Sequence, residues 1–128
     1  MRKILFVCIE NSFRSQIAEG FARALSGEFV EAYSAGSKPS GTVAPAAIQL
    51  MNELGIDISG HTSKGLDALP SVEFDAVVTM GCGDACPTVK AKQRIDWPLD
   101  NPKGQPIEVQ RKMRDDIEQR VKQLLETV

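Results

Sequence analysis

Apolar residues occur along the chain as short runs that alternate with helical stripes. The first run, residues 4–7, is long enough for a buried strand and too short for a helix. After a loop, residues 15–25 place Ile17, Phe21 and Leu25 on one helical face. This pattern predicts a strand, a loop and a helix in immediate succession.

The same alternation continues through the rest of the sequence. Further strands are predicted over residues 28–34, 74–80 and 92–96, helices over residues 44–54 and 108–126, and one or two helical turns over residues 64–69. Alternating strands and helices are typical of parallel pairing. We therefore expect residues 1–128 to form a single α/β domain, a three-layer sandwich around a four-stranded parallel sheet.

Composition narrows the class of protein and its compartment. The net charge of -2 argues against nucleic acid or an anionic membrane as the main partner. No apolar run approaches the roughly 20 residues that cross a bilayer, and the first run is too short for a signal peptide. We expect a cytoplasmic monomer that needs no cofactor or metal. In that compartment its three cysteines are reduced, and a disulfide is more often catalytic than structural.

Cys8 lies where the first predicted strand ends, and Arg14 follows it six residues later, at the start of a helix. Backbone N–H groups and the helix dipole favour negative charge there, so the reactive thiolate form of a cysteine is favoured. The guanidinium of Arg14 can bind a tetrahedral oxyanion through paired hydrogen bonds. A nucleophile and an oxyanion cradle in one loop indicate attack on phosphorus or a similar centre. The alternative is that Cys8 is a small buried residue that caps the strand.

Cys82 and Cys86 form a second candidate site after the predicted strand at residues 74–80. Four residues apart on a helix, they would lie on one face, and a disulfide between them is sterically possible. Gly81 and Gly83 weaken a helix and allow the loop to move. Ligands of open α/β sheets bind at the carboxyl ends of strands, so Cys8 and Cys82 are expected at the same end. The three cysteines could then act as a thiol relay.

Two other interpretations of these cysteines remain open. The three thiols and His61 could bind zinc, although their spacing differs from the usual C-x2-C pairs. Alternatively, Cys82 and Cys86 could be inert packing residues.

Several stretches of the sequence form a pattern known from one protein family. They are FVCIENSFRSQIAEG at residues 6–20, YSAG at 33–36, GIDISGHTS at 55–63, VVTMGCGDACP at 77–87 and WPLDNP at 97–102. In this order and over nearly the whole chain, they resemble the thioredoxin-coupled arsenate reductases, which have the low-molecular-weight protein tyrosine phosphatase fold. The motif C-x5-R-S followed by Q-x-A-E-G is specific to this fold, and the later cysteine pair distinguishes the reductases from the phosphatases.

The resemblance implies a role for each residue of the first loop. Cys8 would attack arsenate, which would be held by Arg14 and by the backbone of the loop. The loop residues that would bind the oxyanion are Cys8, Glu10, Asn11, Ser12, Phe13 and Arg14. Ser15 would donate a hydrogen bond to the sulfur of the nucleophile, and Asn11 and Ser15 would shape the loop.

The resemblance also implies how the thiols are used. Cys82 would attack Cys8, releasing arsenite and forming a Cys8–Cys82 disulfide. Cys86 would then attack Cys82 and leave a Cys82–Cys86 disulfide. Thioredoxin, or a glutaredoxin or small thiol, would reduce this last disulfide.

The sequence departs from the family pattern at two positions. Residues 100–104 form a predicted loop, called the late loop below. The family has an acid directly before the proline of this loop, where this chain has Asn101. Asp100 could replace that acid as proton donor. Some members also bind potassium through residues that match Asn11, Glu19 and Ser34, together with an acid where this chain has Lys64. We hypothesise that the Lys64 ammonium replaces the cation, in which case added potassium would leave activity unchanged.

Two alternatives to a reductase remain. A phosphotyrosine phosphatase would need aromatic residues around the pocket and an acid before Pro102, yet Tyr33 and Trp97 are the only tyrosine and tryptophan and that acid is missing. A catalytically silent arsenite- or metal-binding protein would use the three thiols as ligands. Turnover of arsenate distinguishes the reductase from both.

Overall fold

Four parallel strands form one sheet in a computed structural model that describes residues 2–27, 29–81 and 89–128. The strands are β1 (Arg2–Cys8), β2 (Val30–Gly36), β3 (Ala76–Thr79) and β4 (Arg94–Asp96), arranged in the order β2-β1-β3-β4. The helices are α1 (Arg14–Ser26), α2 (Pro45–Asn52) and α3 (Ile107–Thr127), and a short 3-10 turn occupies Leu66–Ala68. The predicted α/β fold with a four-stranded parallel sheet is confirmed.

The sheet forms the middle layer because β1 is buried on both faces. Ile4 and Phe6 point to one face, where they share an apolar cluster with residues of all three helices. The large helical side chains of this cluster with no exposure are Ile17, Phe21, Leu50, Met51, Ile117 and Val121. Leu5 and Val7 point to the other face, where they pack with Phe74 and with apolar residues of the 3-10 turn.

Some apolar side chains of the predicted strands and helices are exposed. Phe29 was expected in the second strand but is 82% exposed, since the pairing of β1 with β2 begins only at Arg2 and Val30. Leu25 in the last turn of α1 is 42% exposed, and Val109 in the first turn of α3 is 43% exposed. Helix ends extend beyond the cluster that buries their central turns. Across the described ranges, no helix combines the length and apolar character needed to cross a bilayer.

The carboxyl ends of the strands meet at one edge, as the sequence predicted. Cys8 pairs with Gly36 at the end of β2, and the N–H of Met80 donates to the carbonyl of Val7 at 2.8 Å. The chain then continues to Gly81, which lies beside Arg14 of the segment that follows Cys8. The predicted site residues Cys82 and Cys86, with Gly83, lie outside the described residues.

Candidate active site

The loop between β1 and α1 is shaped by Asn11, which has a φ of 51° in the left-handed region. A residue other than glycine is uncommon there unless its side chain forms local hydrogen bonds. Asn11 accepts from the N–H of Lys64 at 2.9 Å and donates to Ser15 Oγ at 2.8 Å. The backbone carbonyl of Asn11 accepts from Gln16 Nε2 at 3.0 Å. These buried contacts hold the loop in its conformation.

The same contacts also determine which hydrogen bonds are available to the Cys8 sulfur. A backbone N–H can only donate, so the bond from Lys64 identifies the Asn11 oxygen and turns its amide nitrogen toward Ser15. Ser15 Oγ accepts from that nitrogen and lies 2.9 Å from Cys8 Sγ, so its own hydroxyl proton is free to be donated to the sulfur. The hydroxyl thus lies within hydrogen-bonding distance of the sulfur of the buried Cys8.

Arg14 is fixed against two other loops. Its side chain is only 6% exposed, and Nη1 donates to the carbonyl of Leu99 at 3.0 Å. Gly81 lies beside the same Nη1 with a φ of +77°, and a Cβ at that position would be 2.7 Å from Nη1 and 3.0 Å from the Leu99 carbonyl oxygen. The guanidinium has five N–H donors in a planar fork, so donors remain for an oxyanion.

Gly36 permits the loop to lie against β2, a role that the sequence analysis missed. A Cβ on Gly36 would lie 2.5 Å from the Ile9 carbonyl oxygen and 2.9 Å from the Asn11 nitrogen. The segment after Gly36 also supports the loop, since Lys38 N donates to the Ile9 carbonyl at 2.8 Å. The YSAG match contained this glycine, but only the contact between elements reveals its function.

A small pocket opens above Cys8, with its wall formed by the first loop and the late loop. Its lining residues are Cys8, Glu10, Ser12, Phe13, Arg14, Ala44, Asn101 and Lys103. Asp100, the predicted proton donor, is exposed and is not part of this lining, whereas its neighbour Asn101 is. Lys103 was not expected at the site.

Beneath the loop, the carboxylate of Glu19 is almost fully buried among cations and a hydroxyl. Arg23 Nε lies 2.9 Å from Oε2, and Ser34 Oγ donates to Oε1 at 2.5 Å. Lys64 Nζ is 3.8 Å from Oε1 and 3.5 Å from Ser34 Oγ. The Lys64 ammonium therefore reaches the residues of the hypothesised cation site, and its replacement of a bound cation remains a prediction.

His61 belongs to this network as a structural hydrogen-bonding group. Its Nδ1 is 3.0 Å from Gln16 Oε1, and Gln16 in turn holds Asn11. Burial lowers the pKa of His61; the negative charge of Glu19, 3.8 Å away, opposes that effect, while the nearby Arg23 and Lys64 reinforce it. A neutral imidazole with a proton on Nδ1 fits this position, because Gln16 Oε1 can only accept.

No three carboxylate, thiol or imidazole side chains among the described residues come close enough to hold a metal ion. The zinc interpretation also involves Cys82 and Cys86, and it therefore remains untested.

Comparison with known proteins identifies close relatives over the full length of the chain. Residues 3–128 match the family model described as low molecular weight phosphotyrosine protein phosphatase. A glutaredoxin arsenate reductase of Synechocystis sp. is 42% identical over 98% of this chain and 97% of its own length. The solved structure of an arsenate reductase in the phosphate binding state has a TM-score of 0.92 at 40% identity, covering 100% of this chain and 99% of that one. A Corynebacterium glutamicum thioredoxin-dependent arsenate reductase has a TM-score of 0.81 at 32% identity, covering 99% of this chain and 61% of that one.

Gly36→Ala should displace the loop and weaken oxyanion binding. The new methyl group would meet backbone atoms, which cannot rotate away, so we expect a loss of about 1–3 kcal/mol in the free energy of unfolding. Binding of inorganic phosphate, measured by protection of Cys8 from alkylation, should weaken about tenfold or more. Gly60→Ala is the control, because no atom lies within 4 Å of its new Cβ. Equal behaviour of the two variants would contradict this role of Gly36.

Stability should fall as the pH drops below the ordinary His61 pKa of 6.5. Above that pH both folded and unfolded states hold a neutral imidazole. Below it the unfolded state binds a proton that the folded state does not, with a slope of at most about 1.4 kcal/mol per pH unit. Denaturant unfolding between pH 7 and pH 5.5 should show this loss in the wild type and less of it in His61→Asn, which keeps a donor near Nδ1. Parallel pH profiles would refute the assignment.

Proposed function

The chain belongs to the low molecular weight phosphotyrosine protein phosphatase family, and on that premise we propose that it is an arsenate reductase that works through cysteine thiols. The observation that carries the proposal is the position of Cys8, whose Sγ is hydrogen-bonded to Ser15 and which lines one pocket together with Arg14. The likeness to an arsenate reductase in the phosphate binding state supports the same use of the pocket.

In the proposed first step, the Cys8 thiolate attacks the arsenic atom of bound arsenate. An S–As bond forms and a hydroxide leaves, taking a proton from a donor or from water. Arg14 and the N–H groups of the loop stabilise the oxyanion. The first turn of α1 supports this role because no side chain caps its unpaired N–H groups.

In the second step, the Cys82 thiolate attacks the sulfur of Cys8. The S–As bond breaks, and its electron pair reduces arsenic from the pentavalent to the trivalent state as arsenite leaves. Cys86 then attacks Cys82, forming a Cys82–Cys86 disulfide and releasing Cys8. The position of Gly81 beside Arg14 supports this sequence, because Cys82 follows Gly81 directly in the chain.

The third step returns the disulfide to thiols with an external reductant. We propose thioredoxin, with a glutaredoxin or a small thiol as the alternative. The relatives carry both descriptions, one being a glutaredoxin arsenate reductase and another a thioredoxin-dependent one. We propose that the protein acts as a monomer, and we propose the cytoplasm as its compartment because that compartment keeps thiols reduced.

A phosphatase activity is the second candidate, favoured by the description of the matching family. A phosphate ester releases an alkoxide, which needs a proton donor more than a hydroxide leaving arsenic does. The late loop lines the pocket with Asn101, an amide that cannot supply a proton. Any phosphatase activity should therefore be weak.

Arsenate-dependent NADPH oxidation, coupled through thioredoxin and its reductase, tests the relay. Turnover should be lost in Cys8→Ser, Cys82→Ser and Cys86→Ser, since each thiol carries one step. Cys82→Ser and Cys86→Ser should still bind phosphate, which separates relay defects from a damaged pocket. Turnover that survives in Cys86→Ser would favour a glutaredoxin or small-thiol route, and turnover without Cys8 would refute the mechanism.

Asp100 remains the proposed proton donor, although its role requires the exposed carboxylate to turn into the pocket. If it donates, Asp100→Ala should lower the kcat of arsenate reduction about tenfold or more, which is the usual range for general acids. Asn101→Asp places an acid in the pocket lining itself and should raise the hydrolysis of p-nitrophenyl phosphate. Arsenate reduction that is unchanged in Asp100→Ala would dismiss Asp100 as the acid.

A further inference from the structure

A second pair of charges lies at the mouth of the pocket, beyond Arg14. Lys103 Nζ is 3.1 Å from Glu10 Oε1 and 3.4 Å from Oε2, and both residues line the pocket that contains Cys8. The Lys103 side chain is 68% exposed and that of Glu10 is 35% exposed. Ion pairs as exposed as this one contribute little energy and are easily exchanged for another partner. The ammonium is therefore available to a competing anion.

The backbone beneath Lys103 is well anchored, so its position at the mouth is defined. Its N–H donates to Asn101 Oδ1 at 3.1 Å. The carbonyl of Pro102 accepts from the N–H of Gln105 at 3.1 Å and from the side chain of Gln110, in the first part of α3, at 3.0 Å. The backbone of the late loop is thus held in place, and the long aliphatic part of the Lys103 side chain allows the ammonium to change partners.

Glu10 is anchored on the opposite side of the mouth. Its carbonyl accepts from Ser40 N at 3.0 Å and from Ser63 Oγ at 2.9 Å. Its carboxylate would repel an arriving oxyanion, and Lys103 offsets that charge. An oxyanion of charge -2 offers the ammonium a stronger partner than a single carboxylate does.

We propose that Lys103 is a second cationic ligand for the oxyanion, acting with Arg14. Without a bound anion, the Lys103 ammonium is paired with the Glu10 carboxylate at the mouth of the pocket. When a tetrahedral dianion enters the pocket, the ammonium pairs with the dianion instead. The proposal rests on the proposed oxyanion-binding function of the pocket. Lys103 is then a substrate-binding residue, and the spacing of Cys8 and Arg14 in the sequence gives no indication of this role.

Binding of inorganic phosphate tests this without requiring turnover. Protection of Cys8 from iodoacetamide, followed by mass spectrometry of its own peptide, gives the phosphate affinity of each variant. Lys103→Met should weaken phosphate binding roughly fivefold to tenfold, and Lys103→Arg should recover most of it. Lys112→Met, which removes an exposed charge on α3 outside the pocket lining, is the control and should leave the affinity unchanged.

Glu10→Gln distinguishes direct binding from simple screening of the carboxylate. If Lys103 touches the anion, Lys103→Met should weaken phosphate binding in the Glu10→Gln background as well. If the loss disappears in that background, Lys103 only screens Glu10 and the proposal is wrong. Unchanged affinity in Lys103→Met would also overturn it. A lack of arsenate turnover combined with the expected phosphate effects would count against the proposed reductase and leave this inference intact.

Discussion

The site depends on how closely the loop after β1 approaches the end of β2. Gly36 has no side chain at the point where the backbone of Ile9 and Asn11 passes it. That approach brings Asn11 to the backbone just before the 3-10 turn, where Lys64 N–H donates to its amide oxygen. The orientation of the amide then leaves the single hydroxyl proton of Ser15 free to be donated to sulfur. A contact between two backbones thereby controls the hydrogen bonding of the nucleophile.

A second layer of polar residues holds this arrangement from below. Gln16 bonds to Asn11, and His61 bonds to Gln16, so a path of hydrogen bonds leads from the loop to His61, whose Nδ1 lies 3.8 Å from the carboxylate of the buried Glu19. Such a path is stable only when each member is satisfied. The two cations beside Glu19 compensate for the burial of its carboxylate, and one of them, Lys64, also supplies the backbone N–H that orients Asn11.

The sequence was sufficient for those parts of the structure that depend on local patterns. Apolar periodicity predicted the strand, loop and helix around Cys8, and the alternation of elements predicted a parallel sheet. It failed for Phe29, because strand composition does not reveal where pairing with the neighbouring strand begins. It also missed Gly36 and the pair of Lys103 with Glu10. These contacts join residues far apart in the chain, and neither partner carries a local signal of the other.

The late loop illustrates the same limit at the level of single residues. Reading the sequence identified Asp100 as the substitute for a missing acid, since it is the nearest carboxylate. Both residues are exposed, yet in the structure Asn101 lines the pocket and Asp100 does not. Where a loop directs its side chains depends on its anchors, such as the bond from Gln110 to Pro102, which lie in another element.

The most direct test of the account is a single turnover of the reduced protein with one equivalent of arsenate and no external reductant. Arsenic speciation and thiol counting by alkylation and mass spectrometry would follow the reaction. The account predicts one arsenite per chain and the loss of two of the three thiols, with Cys8 still reduced and Cys82 joined to Cys86. Arsenate that remains unreduced, with all three thiols retained, would contradict it.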